Sequence, residues 1–382
     1  MQTRKKSPVR HLTAVILCLV LTLTTLQMTV WAVELGDNNS LTVSTNGAVF
    51  EYTNDLTEEE RVQVDLYKLA SATRVDGIDT YGFEFDPMFA GLPLKEGEDE
   101  TAIGSLGLET GTVSMSEDQW NEFAQIVSKE LMNGSTATPV QSSTLTASVS
   151  FGTASFTGLS AGLYLIVTHG KDEADYWEVQ TDDSGVENIV ATARSERYKY
   201  SFIPSIIALP TKNSVDGVIT TAASNGDWVY DASLSLKASV EPRYGEITIE
   251  KTIDDFKGNE EVTFVFQIDA TGDFTDDHDY HYSNVASVAF NASTGLSTTA
   301  VVDRVRAGAR VTVTEVYTGL KYTPGSVSPA EATIIADTAV TFSAHNTFND
   351  TTTGGHGIQN HFTYTESSWI VEQQDAGNGL NR

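Results

Sequence analysis

Three stretches of this chain alternate with the period of a β-strand, and each sets one polar residue among apolar ones. In Glu246–Ile253 (EITIEKTI), Ile247, Ile249, Lys251 and Ile253 fall on one face. Val311, Val313 and Glu315 alternate in a second stretch, and Val340, Phe342, Ala344 and Asn346 in a third. A strand slipped by one residue would turn its whole apolar set outward, so the pattern dictates which side chains face inward. Lysine, glutamate and asparagine would then enter one core. On a single strand the lysine would read as a register break, an edge strand or a stem lying along the sheet with its ammonium in water. Three such strands point to a shared site, because each isolated charge or amide in an apolar interior costs several kcal/mol.

A reaction removes that cost. Desolvation lowers the pKa of a lysine and raises that of a glutamic acid. Lys251 as a neutral amine can attack the Asn346 side-chain carbonyl while protonated Glu315 polarises it, and ammonia leaves. The product is an amide tying the first strand of a β-sandwich to its last.

At these residues the chain resembles the Cna-B-like modules of Gram-positive surface proteins and pilins. The words that carry the resemblance are IEKTI, TVTEVYTGLKY and VTFSAHNTFN. The second is similar to the family's E-box, with Glu315 and Tyr322 in place but without its usual proline and second glycine. The third is similar to the family's last strand, where an apolar residue normally stands two before the bonding asparagine; here it is Ala344, so Asn349 and Asn360 compete with Asn346. The resemblance implies an all-β chain of two tandem Ig-like sandwiches, an isopeptide bond promoted by Glu315, no cofactor and no turnover on a substrate.

The first 32 residues are set apart from that architecture. Arg4, Lys5, Lys6 and Arg10 form a basic segment, Leu12 to Leu26 is apolar, and Val30-Trp31-Ala32 fits a small-residue cleavage rule. This reads as a signal peptide with a mature start near Val33, and so as a secreted or cell-surface protein. The segment carries four of the 23 basic residues, none of the 52 acidic ones and the one cysteine, Cys18. A chain of net charge −29 that becomes more acidic on processing is no partner for nucleic acid. An exported protein without cysteine also lacks any disulfide, which favours some other covalent staple.

Residues 33–242 read as a mostly β first domain with strands near Leu41–Ser44, Val62–Leu69, Thr144–Phe151, Gly162–Thr168, Ile189–Thr192, Tyr198–Ile203 and Val229–Leu236. A helix is expected over 116–133, opened by Ser116 and Gln119, with Trp120, Phe123, Val127 and Leu131 on one face and Gly134 at its end. Asp76 to Thr112, rich in glycine, proline and acids, reads as loop. Phe156–His169 (FTGLSAGLYLIVTH) aligns with Val302–Glu315 (VDRVRAGARVTVTE) at a constant offset of 146 residues. Both domains are then variants of one sandwich. His169 takes the slot of Glu315, and Lys68, though it alternates with Val62, Val64 and Leu66, is taken as a snorkelling lysine.

The stretch 228–238 (WVYDASLSLKA) resembles the pilin motif of backbone pilins at Trp228, Ala232, Leu234 and Lys237, with Ser235 and Leu236 in place of its tyrosine and proline. The resemblance implies Lys237 as acceptor in a sortase reaction with another subunit; the alternative is an ordinary exposed lysine before a domain junction. Residues 243–350 read as the second sandwich, with strands at Val262–Ile268, Ala286–Asn291, Ser297–Val302, Arg310–Val316 and Ala332–Ala344. Its segment 273–282 (DFTDDHDYHY) gathers acids and histidines but fits no metal-ligand spacing, and reads as an acidic turn without a metal. Residues 351–382 read as a linker and a hairpin or tail.

No LPxTG-like signal is found, so this sequence is expected to accept another subunit and not to donate its own end. No phosphate loop or HExxH motif is present, which argues against an enzyme. The leading expectation is a structural surface protein, a pilin-like subunit or adhesin stalk, whose partners are other pilin subunits and a sortase. The alternative is a secreted adhesin that binds a host glycan or matrix protein through residues 76–112.

Overall fold

A computed structural model describes residues 33–45, 62–76, 79–93, 117–148, 151–171, 175–212, 228–236, 238–257, 261–318, 321–349, 357–365 and 368–376. The chain divides into two compact units, one of residues up to Arg194 with Tyr200–Val240, the other of Ser195–Lys199 with everything from Glu241 onward. Lys237 and residues 1–32 lie outside the described residues, as do 77–78 and 94–112 of the expected binding loop.

In the first unit, β1 (Asn39–Thr45), β2 (Val62–Arg74) and β3 (Tyr81–Phe85) precede the helix α1 (Glu117–Met132). Short β4 (Gln141–Thr144) and β5 (Thr146–Ser148) lead into β6 (Phe151–Leu159), β7 (Gly162–Gly170), β8 (Trp177–Thr181), β9 (Glu187–Arg194) and β10 (Tyr198–Phe202). Then come β11 (Ser205–Leu209), β12 (Thr211–Lys212), β13 (Trp228–Val229), β14 (Asp231–Leu236) and β15 (Ala238–Pro242). One sheet runs β14-β1-β6-β5, another β11-β7-β2-β3 with β4 added on β2. Strand β7 is buried along its whole length, as its apolar run LYLIV requires.

Helix α1 forms because Trp120, Phe123, Ala124 and Val127 recur at helical spacing, and all four are buried in the core with Tyr67, Leu69 and Leu165. Gly134 closes it at φ 91°, where an L side chain would be strained. Ser116, the expected cap, lies outside the described residues.

The span 76–112 is not all loop. Tyr81, Phe83 and Phe85 alternate inward and pair with β2, and Tyr81 meets Phe83 edge to face at 5.4 Å. Glycine and acidic residues around them masked a period-two signal that the aromatic burial makes decisive.

The second unit holds β16 (Tyr244–Ile253), β17 (Val262–Phe274), β18 (Asp277–Phe290), β19 (Ser297–Arg306), β20 (Arg310–Tyr317), β21 (Tyr322–Pro324), β22 (Ala332–Thr333) and β23 (Ala339–Phe348). A hairpin of β24 (Gly357–Thr365) and β25 (Ser368–Ala376) follows. Two four-stranded sheets, β19-β16-β23-β21 and β18-β17-β20-β22, share one core of Ile247, Ile249, Phe264, Phe266, Val311 and Phe342 among others. This is a β-sandwich, and the described chain is all-β apart from α1.

Two local expectations for this unit change. Residues 273–282 are mostly strand, because Tyr280 and Tyr282 pack on the core while Asp279 and His281 face water. The expected strand 332–344 is broken: Asp337 turns the chain at φ 54° and donates its N–H to the Tyr244 carbonyl at 2.9 Å, so β22 pairs with β20 and β23 with β16.

The 146-residue repeat is visible in three dimensions. The chain crosses from one sheet to another between β6 and β7 as it does between β19 and β20, and β1 stands to β6 and β14 as β16 stands to β19 and β23, antiparallel on one side and parallel on the other.

Candidate functional site

Strand β16 buries every second residue, and Lys251 continues the series begun by Ile247 and Ile249. Its side chain is 0 % exposed and that of Glu315 on β20 is 3 % exposed. Glu315 comes from the opposite sheet, so the two charges meet across the core. The Lys251 Nζ lies 3.0 Å from both carboxylate oxygens. Asn346 on β23 is fully buried and donates from Nδ2 to Glu315 Oε1 at 2.6 Å. One carboxylate therefore holds an amine and an amide at once.

The register explains the meeting. Strands β16 and β23 are parallel, with Lys251 opposite Ala344 and Ile253 opposite Asn346. Lys251, Ala344 and Asn346 all face inward, and the small Ala344 leaves room beside the lysine stem.

The walls are apolar. Lys251 Nζ stands 4.7 Å from the Phe264 ring centre and 5.7 Å from that of Phe266. Tyr322 packs edge to face on Phe264 at 5.2 Å and donates its hydroxyl to the Asp255 carbonyl at 3.1 Å. Burial pulls the Lys251 ammonium below the ordinary lysine range, and the charge and hydrogen bond of Glu315 push back only in part. The arrangement favours the neutral amine of Lys251.

Gly325 was not singled out by any sequence signal. Its N–H points at Asn346 Oδ1 from 3.4 Å while also donating to the His345 carbonyl at 2.9 Å. A Cβ here would come within 2.5 Å of that carbonyl, so only glycine allows the approach. Glu315 thus faces the amide nitrogen of Asn346, and it is Gly325 that faces the oxygen. The expectation had given the oxygen to Glu315. A glycine after the proline of Tyr-Thr-Pro-Gly was the available signal, visible only once the close strand approach was known.

The competing asparagines lie elsewhere. Asn349 is exposed and donates to Thr323 Oγ1 at 3.4 Å. Asn360 sits in β24, in register with Gln373 of β25.

The first sandwich lacks this constellation. By the same offset and pairing, Thr45 stands where Lys251 does, His169 where Glu315 does and Ala238 where Asn346 does. Thr45 is buried and exchanges hydrogen bonds with the Gly152 backbone. Buried His169 instead pairs its Nε2 with Asp65 Oδ2 at 3.2 Å and stacks on Tyr176 at 3.9 Å. Lys68 reaches Ser160 Oγ at 2.6 Å from a half-buried position. Among the described residues there is no cluster of three or more histidine, cysteine or acidic side chains suited to a metal, and no helix long and apolar enough to cross a membrane.

No protein-family model and no curated protein sequence matches the chain. Solved structures do. The minor pilin GBS52 of Streptococcus agalactiae is 14 % identical, with 83 % of this chain and 99 % of that one covered at a TM-score of 0.21. The T6 backbone pilin of Streptococcus pyogenes serotype M6 is 11 % identical over 90 % of this chain and 74 % of its own, at a TM-score of 0.24. The major pilin of Streptococcus pyogenes is 12 % identical over 82 % and 99 %, at a TM-score of 0.20.

Proposed function

We propose that this chain is a structural, pilin-like protein of a Gram-positive cell surface whose second sandwich ties itself shut by an amide bond between Lys251 and Asn346. The observation that carries the reading is Glu315, buried and within 3.0 Å of the amine and 2.6 Å of the amide.

The step balances within the chain. Lys251 passes a proton to Glu315, and its lone pair attacks Cγ of Asn346 while the Gly325 N–H supports the charge growing on Oδ1. The new C–N bond forms, a further lysine proton passes through Glu315 to Nδ2, and the C–Nδ2 bond breaks to release ammonia. Nothing is oxidised and no second substrate enters. The aromatic walls keep water from competing for the carbonyl. Glu315 acts once, on its own domain.

A bond between β16 and β23 would route tension from the first strand of the sandwich to the last, bypassing the hydrogen bonds between them. Such a device suits a stalk. Assembly with other subunits through Lys237 and a sortase, and export by the segment before Val33, complete the reading. The intact mass of the purified mature protein tests it: a chain lighter by one ammonia, with a Lys251–Asn346 linked peptide on fragmentation, is expected, and an unmodified mass overturns the bond.

A further inference from the structure

Val33 is the first described residue, and it is tied down. Its side chain is 2 % exposed in the core of the first sandwich. Its backbone nitrogen donates to Asp79 Oδ1 at 3.2 Å, its carbonyl accepts from the Arg74 guanidinium at 3.5 Å, and the next N–H, of Glu34, donates to the Tyr230 hydroxyl at 2.9 Å.

Asp79 is held in place from the other side. Trp228 Nε1 donates to the same Oδ1 at 2.8 Å. Lys212 Nζ reaches Oδ2 and the Asp79 carbonyl, both at 3.0 Å, and stands 4.5 Å over the Trp228 ring. Tyr81 packs against that ring at 5.3 Å. Indole and lysine fix the carboxylate so that one oxygen faces the Val33 nitrogen. For an ordinary peptide N–H this is more apparatus than one hydrogen bond needs.

The same nitrogen is where the small-residue rule at Val30-Trp31-Ala32 puts the cut. Hydrolysis of the Ala32–Val33 bond by one water leaves a carboxylate on Ala32 and an amine on Val33. A nitrogen with one hydrogen becomes an ammonium with three, carrying a full charge beside Asp79.

We propose that Asp79 is the seat of the α-ammonium group created at Val33 when the leader is removed, so that the first sandwich gains an ion pair only in the processed chain. The proposal rests on the export part of the reading above and not on the Lys251–Asn346 bond. Charge-assisted hydrogen bonds are shorter and stronger than neutral ones, and the partial burial of this site protects the pair from screening. Lys212 shares the carboxylate and Arg74 sits on the Val33 carbonyl, so the gain is moderated by two neighbouring cations.

The test uses the chain 33–382 prepared with a free Val33 amine, beside the same chain acetylated at that nitrogen. Tryptophan fluorescence follows the first sandwich once Trp369 of the second unit is replaced by phenylalanine, since Trp120, Trp177 and Trp228 belong to the first. The free terminus is expected to melt higher by about 2–4 °C, and the difference is expected to vanish when both forms carry Asp79→Asn. Equal melting of the two wild-type forms, or an undiminished difference in Asp79→Asn, overturns the proposal. Slow reductive methylation of the Val33 amine in the native protein relative to the urea-unfolded one is expected as a second readout that needs no mutation; equal rates overturn it. Sequencing the exported protein's N-terminus is expected to give Val33. A different start overturns the proposal while leaving the cross-link, read from the mass of the same sample, untouched.

Discussion

Asn346 stands two residues beyond the cross-strand partner of Lys251, on the same inward face of two parallel strands. The two side chains therefore converge diagonally and not side by side, and Glu315 from the facing sheet fills the space between them. A one-residue slip of either strand would turn its member of the pair to solvent.

Replacing Glu315 with glutamine keeps the shape of the side chain but removes the carboxylate that the proposed reaction uses to receive the lysine proton. Glu315→Gln is expected to fold and to retain the full unreacted mass. A variant lighter by one ammonia would show that Glu315 is not required.

Asn346→Ala removes the carbonyl that the proposed bond needs. The bond would close a loop of about 95 residues, so its loss is expected to destabilise the second sandwich by on the order of 4 kcal/mol, beyond the cost of the missing amide. Denaturant unfolding of wild type and variant measures this. Under force, the variant should release roughly 300 Å of extra chain that the wild type holds back.

The same variant makes the lysine titratable. Burial lowers the Lys251 pKa in the folded state below its ordinary value of 10.5, so the unfolded chain binds the proton more tightly. Stability must then rise with pH between the folded and unfolded values and be lost as pH falls through the folded one. Unfolding midpoints of Asn346→Ala, taken relative to wild type between pH 7 and pH 10, are expected to climb. With the proposed cross-link in place, the wild-type lysine nitrogen would be an amide and would supply no such slope. A flat difference would contradict a buried free amine.

The Asp65–His169 pair makes a prediction for the first sandwich. Burial pushes the Asp65 carboxyl up, but hydrogen bonds from His169, Ser142 and Gln63, with the charge of His169, outweigh it and leave Asp65 below the usual aspartate value of 3.8. Its contribution is present above that value and lost as pH falls through the folded one. Asp65→Asn removes the carboxylate that the buried His169, Ser142 and Gln63 hydrogen-bond and is expected to cost about 1–3 kcal/mol near neutral pH. The gap from wild type should narrow below pH 4. Urea unfolding followed by tryptophan fluorescence reads both effects.

Lys237→Ala in the native host is expected to abolish high-mass sortase products containing this chain. Unchanged ladders would remove Lys237 as the acceptor and leave the chain without a demonstrated place in a polymer.

The inward placement of Lys251, Glu315 and Asn346 was legible in the sequence, because a period of two admits only one face for each strand and the neighbouring isoleucines, valines and phenylalanine mark it. The repeat that relates the two sandwiches was legible as well, since Leu159 and Val305, Ala161 and Ala307 fill the same buried positions and keep the same types. What alternation carries is orientation within one strand. It does not say which strands become neighbours, and so the choice of Asn346 over Asn349 and Asn360 belonged to the parallel register of β16 with β23. The role of Gly325 likewise came from a close approach of two backbones separated along the chain. Strand β3 and the break at Asp337 were hidden for a related reason: turn-forming residues describe local preference, while pairing with β2 in one case and with β16 and β20 in the other decided the outcome. The chemistry of each strand is written locally, but a site made of three strands exists only when long-range pairing brings them to one carboxylate.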